Sequence, residues 1–205
     1  MWTNVGPEIA IYFPWDIWIV TWVAASLWAN RTIKRPGGAR EWPYRILEIA
    51  GFGTLLVFFW DTGHPQVTGN ALTDFMLHPF FTLPESVKWA MVGVAALGFL
   101  FCWWARLHLG RLWSGWITKK EGHRIVDSGP YRLVRHPIYT GLLTAAIATA
   151  AVKGTGHALV GLALLIVAYW MKARLEERFL RGELGKENYD AYARRVPMLV
   201  PFSPV

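Results

Sequence analysis

The chain has 205 residues, of which 54% are hydrophobic and 17% charged, with a mean hydropathy of +0.26. These values exclude an ordinary water-soluble domain, and a single Cys excludes a disulfide framework. The net charge of +7 fits loops facing anionic lipid, so membrane lipids and not nucleic acid are the expected partner.

In chain order, five segments read as spanning helices of an all-α integral membrane protein, since a hydrocarbon core of roughly 30 Å takes about 20 helical residues. Residues 9–29 form the first, with one internal charge, Asp16. This run lacks a basic leader and is followed by positive charge, so it reads as a retained helix and not a cleaved signal. Residues 44–60 form the second, with Arg45 and Glu48 near its start. The outer loop from Asp61 to Glu85 carries His64, Asp74 and His78, whose spacing matches no metal site; it reads as solvated. Residues 87–107 form the third segment, with Cys102 as buried apolar filler.

Residues 137–152 form the fourth segment, opened by Pro137, whose missing N–H has no helical partner to lose in the first turn. Residues 157–180 form the fifth, apolar at first and charged at its end. Only Lys153-Gly154-Thr155-Gly156 separates these two, so they are expected to form a tight antiparallel hairpin. Many of the thirteen Trp (Trp15, Trp42, Trp60, Trp89, Trp113 and Trp116 among them) fall near the ends of apolar runs, where the ring suits the headgroup layer. Of the 21 Lys and Arg, all but Lys88 and Lys153 fall from Arg31 to Arg45 around the first-to-second connection, from Arg106 to Arg135 around the third-to-fourth, or from Lys172 onward. The positive-inside rule then predicts five transmembrane helices, with the N-terminus outside and the C-terminus cytoplasmic.

Four polar segments converge on that cytoplasmic face. They are the loop from Arg106 to Arg135, the strip Arg135-His136-Pro137-Ile138-Tyr139, the pair Glu176-Glu177 with Lys172 and Arg174, and the tail from Tyr189 to Phe202. Turn residues at 127–130 suggest that His123 to Val126 is a short extended piece. Each segment also has a plain reading. Arg135 snorkels to phosphate, His136 caps a helix, Glu176 balances Lys172 four residues away, and Tyr189 and Tyr192 anchor at the interface. Convergence of four separate segments favours a site over those readings. Dinucleotide, Walker, Cys/His metal and nucleophile-elbow patterns are all missing from the sequence.

From Leu109 to Phe202 the chain resembles the isoprenylcysteine carboxyl methyltransferase family, part of a wider group of integral-membrane methyltransferases that includes phospholipid methyltransferases. The resemblance is carried by Arg135-His136-Pro137-x-Tyr139, by Glu176-Glu177, and by Tyr189-x-x-Tyr192-x-x-Arg195-Val196-Pro197. It points to the short prokaryotic form. That implies a single membrane domain over 1–205, with three spans in 1–107 and a cofactor-binding catalytic part with a short helical hairpin in 108–205. It implies S-adenosylmethionine as methyl donor, with S-adenosylhomocysteine as product, in a cytoplasmic pocket built from the 106–136 loop and the C-terminal segment.

The same resemblance assigns cofactor contacts to His123, Arg124, Ile125, Val126, Tyr131, His136, Pro137, Ile138, Tyr139 and Glu176. Arg135 and Glu176 are its catalytic candidates, and Arg135 and Lys172 its acceptor contacts, with no metal. Lys172 stands where the eukaryotic enzymes place Arg, offering a point charge without the bidentate fork. The reaction implied is an in-line displacement to a lipophilic or lipidated acceptor: an isoprenylcysteine-like carboxylate, a thiol, or a phospholipid amine. An amine would need a base, for which Glu176, Glu177 or His136 are at hand. The implied location is a prokaryotic inner membrane, with the site facing the cytoplasm. Two other classes remain open: an NADPH-dependent reductase of the sterol reductase type, and a non-catalytic membrane protein. The latter expects no charge deep in the spans, and Asp16 is the one such charge visible in the sequence.

Overall fold

The computed structural model describes residues 5–28, 31–35, 37–56, 69–122 and 124–204. These residues are mostly helical, and three helical stretches are long and apolar enough to cross a membrane: Pro7–Ser26, Glu85–Leu112 and Gly156–Leu184. The first is broken into α1 (Pro7–Ala10) and α2 (Phe13–Ser26) by a turn at 11–12. Pro14 accounts for the break, because its ring crowds the carbonyl of Ala10 and it has no N–H to donate there. The second expected segment is α3 (Trp42–Leu56); positions 57–60, with Trp60, lie outside the described residues, as does His64. At its start Glu41 accepts from the Tyr44 hydroxyl and the Arg45 guanidinium, both at 2.8 Å.

Part of the expected solvated loop is instead helical, α4 (Ala71–Leu77), started by Asn70, whose Oδ1 accepts from the N–H groups of Leu72 and Thr73. Phe75 of α4 lies against Gly156, and His157 Nδ1 is 2.6 Å from the Met76 carbonyl oxygen, so α4 packs on the hairpin turn. The Asp74–His78 pair spans 3.8 Å, and no cluster of three or more metal-binding side chains occurs among the described residues. After it come α5 (Glu85–Leu109), α6 (Pro137–Lys153), α7 (Gly156–Leu184) and α8 (Lys186–Ala193). The α6–α7 hairpin turns at Gly154, in the left-handed region at φ 63°.

Packing is strongest between α5 and α6 and between α3 and α7, more than between the two arms of the hairpin. Small residues explain both pairings. A Cβ on Gly98 would sit 2.6 Å from the Gly141 carbonyl oxygen, and one on Gly161 would sit 2.6 Å from the Leu55 nitrogen. Trp15, expected at the headgroup layer, is 2% exposed. It donates to Thr149 Oγ1 at 2.9 Å and packs edge-on against Phe99. Trp113 is buried too, whereas Trp42, Trp89 and Trp116 are exposed.

The charge pattern also differs from the expectation. Asp16 is exposed, while Arg106, Lys172 and Glu177 are buried within the long helices. Arg106 survives burial because Nη1 donates to the Gly110 carbonyl and Nη2 to those of Ala25 and Trp28, closing the ends of α5 and α2. A two-stranded antiparallel ribbon, β1 (Thr32–Lys34) with β2 (Lys119–Lys120), joins two loops, and Lys34 and Lys119 both reach Glu183 at the end of α7. At about 1.5 Å per residue, the 29 residues of α7 extend about 43 Å, longer than a hydrocarbon layer of roughly 30 Å.

Candidate active site

The site is assembled where the irregular 124–136 stretch enters α6. His136 stands at the N-cap position and Pro137 begins the helix. The C-terminal tail is laid against this mouth: the N–H groups of Arg135 and His136 donate to the carbonyls of Pro197 (2.8 Å) and Met198 (3.1 Å). Thr140 Oγ1 donates to the Leu199 carbonyl at 2.6 Å. The tail motif thus has a physical role, holding the start of α6 by backbone pairing.

Two adjacent carboxylates divide the work, because neighbouring helical residues point about 100° apart. Glu177 turns inward and is 1% exposed, with Arg135 Nε at 2.7 Å, His136 Nε2 at 3.3 Å and Arg181 Nη1 at 3.9 Å. Arg135 also donates through Nη1 to the carbonyls of Ala193 and Val196. Its guanidinium is therefore committed to Glu177 and the tail. Glu176 turns to the cavity, where it accepts from the Tyr139 hydroxyl at 2.7 Å and lies 3.7 Å from His136 Nδ1. The plain pairing of Lys172 with Glu176 does not form: Lys172 reaches Glu48 at 3.3 Å, and Arg174 lies against Trp170.

Aromatic rings complete the walls. Tyr139 stacks on His136 with centroids 5.2 Å apart and on Tyr169 at 5.0 Å. The Tyr169 hydroxyl donates to Glu48 Oε1 at 3.1 Å. Tyr189 and Tyr192 are buried and not interfacial, and the Tyr192 hydroxyl donates to the Tyr131 carbonyl at 2.7 Å. Burial pushes the phenols of Tyr131, Tyr189 and Tyr192 well above the ordinary tyrosine range, so they stay protonated and uncharged.

These groups enclose a cavity of about 260 Å³, near the lower end of small-molecule pockets. The stretches Arg124 to Val126 and Arg135 to Tyr139 line it, together with Tyr131, Lys172 and Glu176. His123 lies outside the described residues. Residues 124–127 form no strand; the extended pairing falls at β2, which has β1 beside it to take its hydrogen bonds. The sequence reading missed the contribution of the N-terminal half: Trp18, Trp22, Glu48 and Phe52 also line the cavity. Glu48 carried a signal, being a carboxylate two turns inside an apolar helix.

Residues 89–181 match the family model described as Isoprenylcysteine carboxyl methyltransferase (ICMT) family. The chain is 38% identical over 134 residues to Methanethiol S-methyltransferase 2 of Bradyrhizobium diazoefficiens, covering 60% of this chain and 50% of that protein. It is 31% identical over 87 residues to Protein-S-isoprenylcysteine O-methyltransferase B of Arabidopsis thaliana, covering 42% and 44%. Over 72 residues it is 46% identical to Methanethiol S-methyltransferase of a Pseudomonas species, covering 35% and 26%. The chain spans half the length or less of these relatives.

Proposed function

We propose that the chain, whose residues 89–181 match the isoprenylcysteine carboxyl methyltransferase family model, transfers a methyl group from S-adenosylmethionine to a lipophilic or membrane-associated nucleophile. One observation carries the reading: the Glu176 carboxylate, held by the Tyr139 hydroxyl, faces a cavity walled by tyrosine and tryptophan rings. A carboxylate beside aromatic faces suits a cationic ligand such as a sulfonium or ammonium. When bound, the donor supplies an electrophilic methyl group on its sulfonium.

The chain's own residues hold and orient. The 124–126 strip and Tyr131 would take the adenosine part, and Glu176 the ammonium or ribose. Tyr139 presents a ring face to the sulfonium. Holding donor and acceptor in one geometry, away from water, contributes up to about 7–11 kcal/mol in favourable cases. Where the acceptor carries a proton, Glu176 or His136 would receive it. Glu177 is held by Arg135, His136 and Arg181 and is unavailable. Arg135, a catalytic candidate and acceptor contact by the resemblance, acts instead as a positioning residue that fixes the α6 mouth, since its guanidinium is held by Glu177 and the tail.

The proposal extends to topology. With α3 and α6 added to the three long apolar stretches, the chain forms one membrane domain of five spans, the N-terminus outside and the cavity at the cytoplasmic face. The names of the relatives offer two acceptors, an isoprenylcysteine carboxylate and a small thiol. The longer match to the methanethiol enzyme favours a thiol. The test is purified protein in lipid nanodiscs with S-adenosylmethionine and dodecanethiol, followed by mass spectrometry for methyl dodecyl sulfide and S-adenosylhomocysteine. Failure to form S-adenosylhomocysteine with dodecanethiol, with phosphatidylethanolamine vesicles and with an S-alkylcysteine acid would refute the reading.

A further inference from the structure

Glu48, from the second turn of α3, is an acidic group in the cavity that lies outside the family-matched segment. Its Oε1 takes two donors, the Lys172 ammonium at 3.3 Å and the Tyr169 hydroxyl at 3.1 Å. The Lys172 ammonium also lies 5.5, 5.2 and 5.6 Å from the ring centroids of Tyr44, Tyr139 and Tyr169, so three aromatic faces fix it in place. Resting on the methyltransferase reading, we infer that Glu48 sets the charge selectivity of the acceptor half of the pocket. It holds Lys172 in a neutral pair that turns away carboxylate acceptors and admits uncharged ones.

An acceptor carboxylate leaves water at a cost of several kcal/mol unless a cation meets it. Lys172 lines the cavity together with the apolar rings of Trp18, Trp22 and Phe52, but Glu48 already occupies it. An incoming carboxylate would have to displace Glu48, which α3 and Tyr169 hold, and would then meet the negative charge of Glu48 and Glu176 together. The cavity's other basic side chains do not replace Lys172. Arg135 is committed to Glu177 and the tail, His136 stands between Glu176 and Glu177, and Arg124 is exposed. An uncharged thiol faces none of these penalties.

The test measures the affinities of a matched pair of ligands, N-acetyl-S-dodecylcysteine and its primary amide, for nanodisc protein saturated with S-adenosylhomocysteine. Wild type is expected to prefer the amide. Glu48→Gln frees the ammonium and should shift the acid-to-amide preference toward the acid by about tenfold or more, the worth of one hydrogen bond to a charged group. Lys172→Met leaves Glu48 uncompensated and should shift it the other way. The double variant should return close to wild type. An unchanged preference in both single variants, with S-adenosylhomocysteine still bound, would overturn the inference alone. Failure of wild type to bind S-adenosylhomocysteine would overturn the methyltransferase reading and this inference with it. If Glu48→Gln does not fold, the preference of Lys172→Met decides the question.

Discussion

Replacing Glu177 with Ala should damage the protein more than any other single change at the site. Its carboxylate is 1% exposed and is the acidic partner of Arg135, whose side chain is itself only 10% exposed. Removing one member of a buried ion pair leaves the other charge uncompensated, at about 3–5 kcal/mol. That is several times the roughly 1 kcal/mol of an ordinary hydrogen bond. For a chain of this size, about 2–4 °C of melting temperature follows each kcal/mol, so the midpoint should fall on the order of 10 °C. The assay is tryptophan fluorescence during thermal unfolding in nanodiscs. In a double-mutant cycle, Glu177→Ala combined with Arg135→Met should cost less than the sum of the two, because the second change removes the stranded charge. A Glu177→Ala protein that melts within about 2 °C of wild type, with costs that simply add, would refute this reasoning.

Other changes test neighbouring links. Glu176→Ala and Tyr139→Phe should each weaken S-adenosylhomocysteine binding by calorimetry, about tenfold for Tyr139→Phe through loss of one hydrogen bond to a charged group. Gly98→Leu should drive α5 from α6, since even a Cβ there would meet the Gly141 carbonyl oxygen at 2.6 Å. The expected destabilisation is about 1–3 kcal/mol, seen as a lower melting midpoint. Trp15→Phe removes the buried donor to Thr149, leaving that hydroxyl its bond to the Ala145 carbonyl, and should cost about 1–3 kcal/mol by the same measurement.

Much of the fold is written in local pattern. The uninterrupted apolar run at 87–107 becomes α5 at Glu85–Leu109, and Pro137 and Gly154 bound α6, because backbone chemistry at single residues decides those ends. The strip from Arg135 to Tyr139 and the Glu pair are visible as charge at the edge of apolar sequence; the strip and Glu176 line the cavity, while Glu177 is buried against Arg135. Partner choice was not legible. Lys172 takes Glu48, 124 residues away, and not Glu176 four residues away, because helix packing brings α3 against α7 and buries both groups there. Adjacency likewise concealed that Glu176 and Glu177 point to different neighbours. The β1–β2 ribbon is too short to alternate, and α4 carries too few residues for a helical period, so neither left a pattern to read.

We propose that the cavity between the mouth of α6 and the acidic end of α7 binds S-adenosylmethionine. This is tested most directly by titrating the purified protein by calorimetry with S-adenosylhomocysteine and, separately, with NADPH. The account predicts saturable binding of S-adenosylhomocysteine, weakened in Glu176→Ala, and none of NADPH. Binding of NADPH without S-adenosylhomocysteine, or of neither, would contradict it.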